Sequence, residues 1–240
     1  MLEIKDVTYG YKEGTTVLNN LSLVYDEPGV YGLLGLNGAG KSTLLYLMMG
    51  LLRPQKGSVT MDGVETWWRE PKVMGEMFIV PEEFELPRTR LDRYVDTLRP
   101  FYPNFDMALL NQTLEMFELT GLSATAESKN GVPAIDMRGL SMGQKKKIYL
   151  CVALAARTKL LVMDEPTNGL DIPSKSQFRK VVAHGMREDQ VIVISTHQVR
   201  DVETLLDHVT IVKDGVAVVN ERLDMEQPTN VEEMFLRVFM

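Results

Sequence analysis

The fold of this chain can be read first from "GVYGLLGLNGAGKSTLLYLMMGLL" (Gly29–Leu52). The stretch begins as a short apolar run typical of a buried strand. It then passes through a glycine-rich turn into a second apolar run that has the length of a helix. The turn, "GLNGAGKST" (Gly35–Thr43), has the spacing G-x-x-x-x-G-K-[ST]. A strand, such a turn and a helix in that order predict a loop whose backbone N–H groups converge on an anion.

The residue types in this turn suit phosphate binding. Gly38 and Gly40 permit the backbone angles that turn successive N–H groups inward. Lys41 is placed to bridge the β- and γ-phosphates of a nucleotide, and the hydroxyl of Ser42 is placed to bind Mg²⁺. The alternative interpretation of the same residues is a plain glycine turn before a helix.

A second apolar strand pattern, "KLLVMDEP" (Lys159–Pro166), ends in Asp164 and Glu165. In a parallel sheet, the carboxyl ends of the strands form the ligand crevice. An aspartate there can hold Mg²⁺, and a glutamate after it can orient the water that attacks a γ-phosphate. An N-cap role for the next helix is the alternative for such a pair. The phosphate loop in the same sheet favours the metal and water roles.

Strand and helix patterns alternate along most of the chain. Nearly continuous apolar strands separated by helices predict an α/β fold with a mostly parallel sheet covered on both faces. The first 25 residues predict antiparallel strands instead, and proline and polar residues bracket helical patterns after residue 83. We therefore expect one domain over residues 1–220, with a core at 1–82 and 158–220, an inserted helical subdomain at about 83–157, and a tail at 221–240.

Composition excludes several functional classes. The net charge of −7 disfavours a nucleic-acid partner. No apolar run approaches the ~20 residues that a bilayer span needs, and the first residues lack a signal-peptide pattern, so we expect another chain to supply any membrane span. The single cysteine, Cys151, lies on an apolar helix face and is expected to be buried and inert.

The order of the motifs resembles the ATP-binding subunit of ATP-binding-cassette (ABC) transporters. Within "GLSMGQKKKIYL" (Gly139–Leu150), the residues "LSMGQ" resemble the family signature LSGGQ, and "NGLD" (Asn168–Asp171) looks like the loop through which two such subunits communicate. The match runs from residue 2 to about residue 220. The resemblance implies a P-loop NTPase core with an N-terminal antiparallel β subdomain and an inserted helical subdomain, and ATP hydrolysis with Mg²⁺.

The resemblance also implies a set of site residues. Tyr11 looks like the aromatic residue that stacks on adenine, and His197 in "ISTHQV" looks like the histidine that contacts the γ-phosphate. The implied nucleotide-binding residues are Tyr11, Gly35, Asn37, Gly38, Ala39, Gly40, Lys41, Ser42, Thr43, Ser141, Gly143 and Gln144. The implied catalytic residues are Lys41, Glu165 and His197, and the implied magnesium ligands are Ser42, Glu82 and Asp164.

Two positions depart from the family pattern. Glu82, in "IVPEEF", stands where the family has a glutamine, so a negative charge lies beside the phosphates. Met142 stands where the signature has its first glycine, which limits how closely the signature backbone can approach a nucleotide. Gly143, the second glycine of the signature, is present.

Three lysines, Lys145–Lys147, lie in the first turns of the helix that follows the signature. Ser141 and Gln144 have the spacing of a capping box, which specifies the helix start. Cations at a helix N-terminus are usually unfavourable, whereas an anion is favoured there. We expect the lysines to add positive charge around the γ-phosphate held by a second copy of the chain, with at least one side chain solvated. The alternative is that all three are surface charges.

In the family, two subunits close head to tail around two ATP molecules. The resemblance therefore implies an ATPase paired in a homodimer or a heterodimer and bound to a separately encoded membrane permease, on the cytoplasmic face of the cell membrane. The stretch "FYPNFDMALLNQTLEMFEL" (Phe101–Leu119), with no regulatory-domain pattern after the motifs, looks more like exporters than sugar importers. An ABC-type ATPase acting on ribosomes or DNA is the alternative. A metabolic kinase or GTPase would leave the signature unexplained.

Overall fold

The structure is a computed structural model that describes residues 1–12, 14–122, 130–224 and 230–240. The strands in these ranges are β1 (Leu2–Tyr9), β2 (Leu18–Tyr25), β3 (Gly29–Leu34), β4 (Lys56–Met61), β5 (Val64–Glu65), β6 (Met77–Val80), β7 (Leu160–Asp164), β8 (Val191–Thr196), β9 (His208–Lys213) and β10 (Val216–Arg222). The α-helices are α1 (Lys41–Met48), α2 (Pro71–Met74), α3 (Leu91–Leu98), α4 (Met107–Met116), α5 (Met142–Ala155), α6 (Ile172–Gly185) and α7 (Val231–Phe239).

The strands form two sheets. The larger has the order β10-β9-β3-β8-β7-β6, and all its neighbouring strands are parallel except β9 and β10. The smaller has the order β2-β1-β4-β5 and is antiparallel throughout. This arrangement confirms the predicted α/β fold with a mostly parallel sheet and an antiparallel β subdomain.

The central strands of the parallel sheet are buried on both faces. Every residue of β3 and of β7 is buried, which accounts for their continuous apolar sequences. Alternate side chains enter different clusters: Leu161 and Met163 pack with α5 and α6, whereas Leu160 and Val162 pack with α1 and the antiparallel sheet. The sheet therefore has an apolar core on each face.

The segment between β6 and β7 is helical in its described part. It contains α3, α4 and α5 and a single isolated bridge between Arg90 and Asp136. Helices α4 and α5 pack against each other, and α4 also contacts α6. Where a subdomain boundary falls stays a prediction.

The helix after the glycine-rich turn is shorter than its sequence suggests. The apolar pattern continues to Leu52, but α1 ends at Met48 because Gly50 adopts a left-handed φ of 61°. Cys151 is fully buried, as expected, and burial raises the pKa of its thiol to about 12. Within the described ranges, every helix is too short or too polar to cross a bilayer.

Strand register determines where the polar residues meet. Asp164 at the end of β7 lies opposite Ser195, and Leu34 at the end of β3 lies opposite Thr196. The carboxyl ends of β3, β7 and β8 therefore meet at one edge of the sheet. The residues that follow all three strands converge on that edge.

Candidate active site

The loop between β3 and α1 requires glycine at two positions. Gly38 and Gly40 have φ angles of 83° and 100°, which residues with a side chain rarely adopt. A Cβ at Gly40 would also lie 2.8 Å from Cδ2 of Leu18. The loop leads directly into α1, whose first N–H groups lack partners within the helix. This is the geometry of an anion-binding helix N-terminus.

Lys41, the first residue of α1, is buried in this loop. Its Nζ donates to the carbonyl oxygens of Gly35 at 2.8 Å and Leu36 at 3.2 Å, and lies 3.9 Å from Oε1 of Glu165. Burial lowers the pKa of Lys41, while the negative charges of Glu165 and Asp164 oppose that effect. A buried cation is thus available for phosphate oxygens.

The end of β8 orients both carboxylates at the end of β7. Asp164 accepts a hydrogen bond from the hydroxyl of Ser195. Glu165 accepts from the hydroxyl of Thr196 at 2.9 Å and from the backbone N–H of His197 at 3.1 Å. Nδ1 of the His197 ring lies 2.7 Å from the same carboxylate. The side chain of Glu165 is therefore held from one side by three groups of β8 and its C-terminal extension.

The backbone of Glu165 is strained. Its φ of 43° is left-handed, which is rare for a residue with a side chain and costs on the order of 1–3 kcal/mol. Its N–H donates to the carbonyl of Ser195 at 3.0 Å, and its own carbonyl accepts from the N–H of Asn168 at 3.1 Å. Surrounding contacts thus hold an unfavourable conformation in place.

A cavity of about 410 Å³ joins these elements. Tyr11 lies at its rim with an exposed ring, and the Tyr11 hydroxyl is 3.1 Å from Oγ1 of Thr43. The predicted site residues that line the cavity are Tyr11, Asn37, Gly38, Gly40, Lys41, Ser42, Thr43, Glu82, Asp164 and Glu165. Gly35 and Ala39 belong to the same loop without lining the cavity, and His197 reaches it only through Glu165.

Comparison with known proteins identifies the family. The family model described as ABC transporter matches residues 18–168. The chain belongs to this family. The lantibiotic transport ATP-binding protein SrtF of Streptococcus pyogenes is 30% identical over 242 residues, covering 98% of this chain and 96% of SrtF. The methionine import ATP-binding protein MetN of Carboxydothermus hydrogenoformans is 32% identical over 222 residues, covering 89% of this chain and 63% of MetN.

Solved structures confirm the ABC ATPase fold. The "Structure of ATP binding subunit of ABC transporter" has a TM-score of 0.83 with 22% identity, and both chains are covered completely. The "Dimeric structure of a post-hydrolysis state of the ATP-binding cassette MJ0796 bound to ADP and Pi" has a TM-score of 0.74 with 23% identity, covering 93% of this chain and 99% of the other. As a member of the ABC family, the chain binds and hydrolyses ATP.

The donor atoms beside the phosphate loop suit Mg²⁺. Ser42, Glu82 and Asp164 all line the cavity and offer oxygen ligands. The described residues contain no group of three or more His, Cys, Asp or Glu side chains that could hold a metal alone. This fits Mg²⁺, which is usually bound through one or two carboxylates together with substrate phosphates and waters. Glu82 also accepts a hydrogen bond from Nδ2 of Asn168 at 2.9 Å.

The residues that resemble the ABC signature, Leu140–Gln144, lie outside this cavity, at the start of α5. The backbone N–H of Ser141 donates to Oε1 of Gln144 at 2.9 Å, and the N–H of Gln144 donates to Oγ of Ser141 at 3.2 Å, so the predicted capping box is confirmed. Met142 is exposed. A Cβ at Gly143 would have its nearest contact at 3.8 Å, to the carbonyl oxygen of Gly169, so packing within the chain leaves room for a side chain there.

Two of the three lysines after the signature have ammonium groups that contact their own chain, which was not expected from the sequence. Nζ of Lys146 donates to the carbonyl oxygens of Glu165 and Asn168, and Nζ of Lys147 donates to Oε1 of Gln177. The prediction that these lysines surround the phosphate of a second copy is therefore wrong for Lys146 and Lys147. The reason is that α5 packs against the core, which turns these two side chains toward their own chain.

Sequence reasoning missed three residues of the site. Ser195 and Thr196 bind the two carboxylates, and Lys146 binds the backbone behind Glu165. A signal for the first two was present in "ISTHQV", where two polar residues end a buried apolar strand. The sequence contained no comparable signal for Lys146.

Proposed function

We propose that the chain is the ATP-hydrolysing subunit of a transporter, and that it dimerises head to tail around two ATP molecules and drives transport, in the direction of export, through a separate membrane-spanning partner. One observation carries the dimer: the cavity is lined by the phosphate loop, Asp164 and Glu165, while the signature of the same chain lies outside it. A second copy can supply the missing signature.

The start of α5 has the properties of such a contact. Its N-terminal N–H groups favour an anion, and the capping box holds the first turn in place. Packing within the chain does not require glycine at position 143, because a Cβ there would fit. Glycine at this position is explained if a ligand held in another copy must approach the backbone closely, because glycine has no side chain to block it.

Within the cavity, each group has a distinct role in hydrolysis. Lys41 and the loop N–H groups hold the β- and γ-phosphates. Ser42 and Asp164, with Glu82, would hold Mg²⁺, which would neutralise charge on the phosphates. Glu165 orients the attacking water, and His197, whose ring contacts Glu165, is the group that we propose for contact with the γ-phosphate.

The membrane partner and the direction of transport rest on likeness to relatives. Names among the relatives include both lantibiotic transport and methionine import. We propose export because the segment from Phe101 to Leu119 resembles that of exporters. The chain would then lie on the cytoplasmic face of the cell membrane and pair in a homodimer or a heterodimer.

Substituting Gly143 should disrupt the dimer without harming the fold. In a Glu165→Gln background, Gly143→Ala is expected to weaken ATP-induced dimerisation at least about 10-fold, because a methyl group at the helix start blocks close approach of the nucleotide. The midpoint of thermal unfolding should stay constant or rise, since alanine is favoured over glycine in a helix by ~1 kcal/mol. Sedimentation velocity with ATP measures the effect.

Gly139→Ala is the matched control for this experiment. A Cβ at Gly139 meets no atom within 4 Å, and the residue lies just before the signature. This variant should dimerise like its parent. Equal dimerisation of the Gly143→Ala variant would contradict the composite site.

The membrane partner can be tested by capture. Affinity-tagged chain purified from detergent-solubilised membranes of its own host should retain a protein with several apolar spans of ~20 residues. Addition of that protein in lipid vesicles should change the ATPase rate of the chain. Recovery of ribosomes or DNA instead, with no membrane protein, would overturn this part of the proposal.

A further inference from the structure

Lys146 is a buried cation with no assigned role in hydrolysis. We propose that it is a positioning residue, which holds the backbone of Glu165 and the turn to Asn168 in the conformation that hydrolysis needs. This inference rests on the proposed role of Glu165 as the residue that orients water.

The contacts of Lys146 connect two separate parts of the chain. Its Nζ donates to the carbonyl oxygen of Glu165 at 2.8 Å and to that of Asn168 at 3.0 Å. Lys146 lies on α5, two residues after the last residue of the signature, whereas both acceptors follow β7. One ammonium group thus ties the start of α5 to both ends of the turn that begins at Glu165.

The burial of this group needs an explanation beyond packing. Lys146 is 6% exposed, and burial lowers its pKa, although Glu82, Glu165 and Asp164 oppose that effect. Its hydrogen bonds at Nζ go to carbonyl oxygens, and its burial removes a strongly hydrated ion from water. An apolar side chain would fill the same space without that cost, so the charge itself must contribute something.

The strain at Glu165 shows what the charge contributes. The left-handed φ of 43° at Glu165 is unfavourable, so the peptide after it would relax without external contacts. The ammonium of Lys146 binds the carbonyl of that peptide, while Thr196 and His197 bind the side chain. Lys146 therefore holds the backbone of a residue whose carboxylate is held from the β8 side.

The turn from Glu165 to Asn168 contacts the cavity at both ends: Glu165 lines the cavity, and Asn168 contacts a residue of its wall. Asn168, whose carbonyl accepts from Lys146, donates its side-chain N–H to Glu82 on the cavity wall. Loss of the ammonium would remove a donor from both carbonyls at once, leave the Glu165 carbonyl with the N–H of Asn168, and allow both residues to move. A misplacement of ~1 Å in a reacting geometry can cost about 100-fold in rate.

Steady-state kinetics of three lysine variants test the inference. Lys146→Met is expected to lower kcat for ATP hydrolysis at least about 10-fold while KM for ATP changes less than about twofold. Lys146→Arg, which keeps a charge and several donors, should restore at least half of kcat. Lys147→Met, a neighbour whose Nζ binds Gln177 instead, should behave like the unmodified chain.

The kinetic results separate a positioning role of Lys146 from a general effect of losing a lysine. A wild-type kcat in the Lys146→Met variant would overturn it, as would an equal loss in the Lys147→Met variant or a higher KM with unchanged kcat. If Lys146→Met does not fold, Lys146→Gln provides the test, since it removes the charge and its amide nitrogen ends one bond short of the position of Nζ. Loss of kcat in that folded variant would support the inference, and wild-type kcat would reject it.

The proposed role of Glu165 can fail independently. If Glu165→Gln retains full ATPase activity, Glu165 does not orient the water, and the inference about Lys146 loses its basis. If Glu165→Gln is inactive while Lys146→Met is fully active, only the inference about Lys146 is wrong.

Discussion

Replacing Glu165 with glutamine is expected to lower steady-state ATP hydrolysis at least about 100-fold, within the range of 10²–10⁴ for loss of a positioned acid–base group. The amide keeps the size of the carboxylate and can still contact the Thr196 hydroxyl, but it cannot accept a proton from water. ATP binding should persist, because Lys41 and the phosphate loop are unchanged. The ATP-bound dimer should therefore accumulate.

Two measurements check this expectation. Phosphate release gives the turnover rate, and sedimentation velocity with ATP gives the dimer fraction. Glu188→Gln, at an exposed glutamate on a different cavity, is the control for loss of one negative charge. Unchanged turnover in the Glu165→Gln variant would remove Glu165 from the proposed mechanism.

Replacing Lys41 with methionine is expected to abolish tight ATP binding and to lower kcat/KM for ATP at least about 100-fold. The ammonium is the buried cation that lines the phosphate-loop cavity and donates to that loop. Methionine has a similar length but no charge. Some loss of stability without ATP is also expected, because the buried Glu165 carboxylate loses its cationic neighbour at 3.9 Å, and thermal unfolding of the ATP-free variant measures that loss. Equilibrium binding of a fluorescent ATP analogue measures the loss.

Control variants separate the specific role of the Lys41 ammonium in ATP binding from a general effect of losing a positive charge. Lys159→Met removes a partly exposed lysine that pairs with Asp62 at 3.4 Å, and it should leave ATP binding unchanged. Lys41→Arg keeps the charge but places a planar, larger group in a loop fitted to a compact ammonium. It should also bind ATP weakly. Full binding by the Lys41→Met variant, with normal unfolding, would contradict the role of the ammonium.

Much of the fold was predictable from local pattern. β1 and β6 coincide with the strand patterns "LEIKDVTY" and "MFIV" along their whole length, and the capping box at Ser141 and Gln144 marks the start of α5. These features depend on residues close in sequence. The end of α1 was less predictable, because an apolar run does not show which glycine will adopt a left-handed conformation.

The candidate site was predictable in its motifs but not in all its contacts. The spacing of the phosphate loop and the two carboxylates in "KLLVMDEP" indicated which residues would converge at one sheet edge, and the family resemblance implied His197. The three lysines after the signature were indistinguishable in sequence. Helix geometry separates them by about 100° per residue, and only the packing of α5 determines which one enters the core.

The chain order of strands, turns and helices, and with it the phosphate loop and the signature, can be read from the sequence alone, because local spacing and glycine requirements specify them. Contacts between residues far apart in the chain depended on the packed fold: Ser195 with Asp164, Glu82 with Asn168, and Lys146 with the Glu165 carbonyl. Strand register and helix rotation set these contacts, and both follow from burial of the whole core.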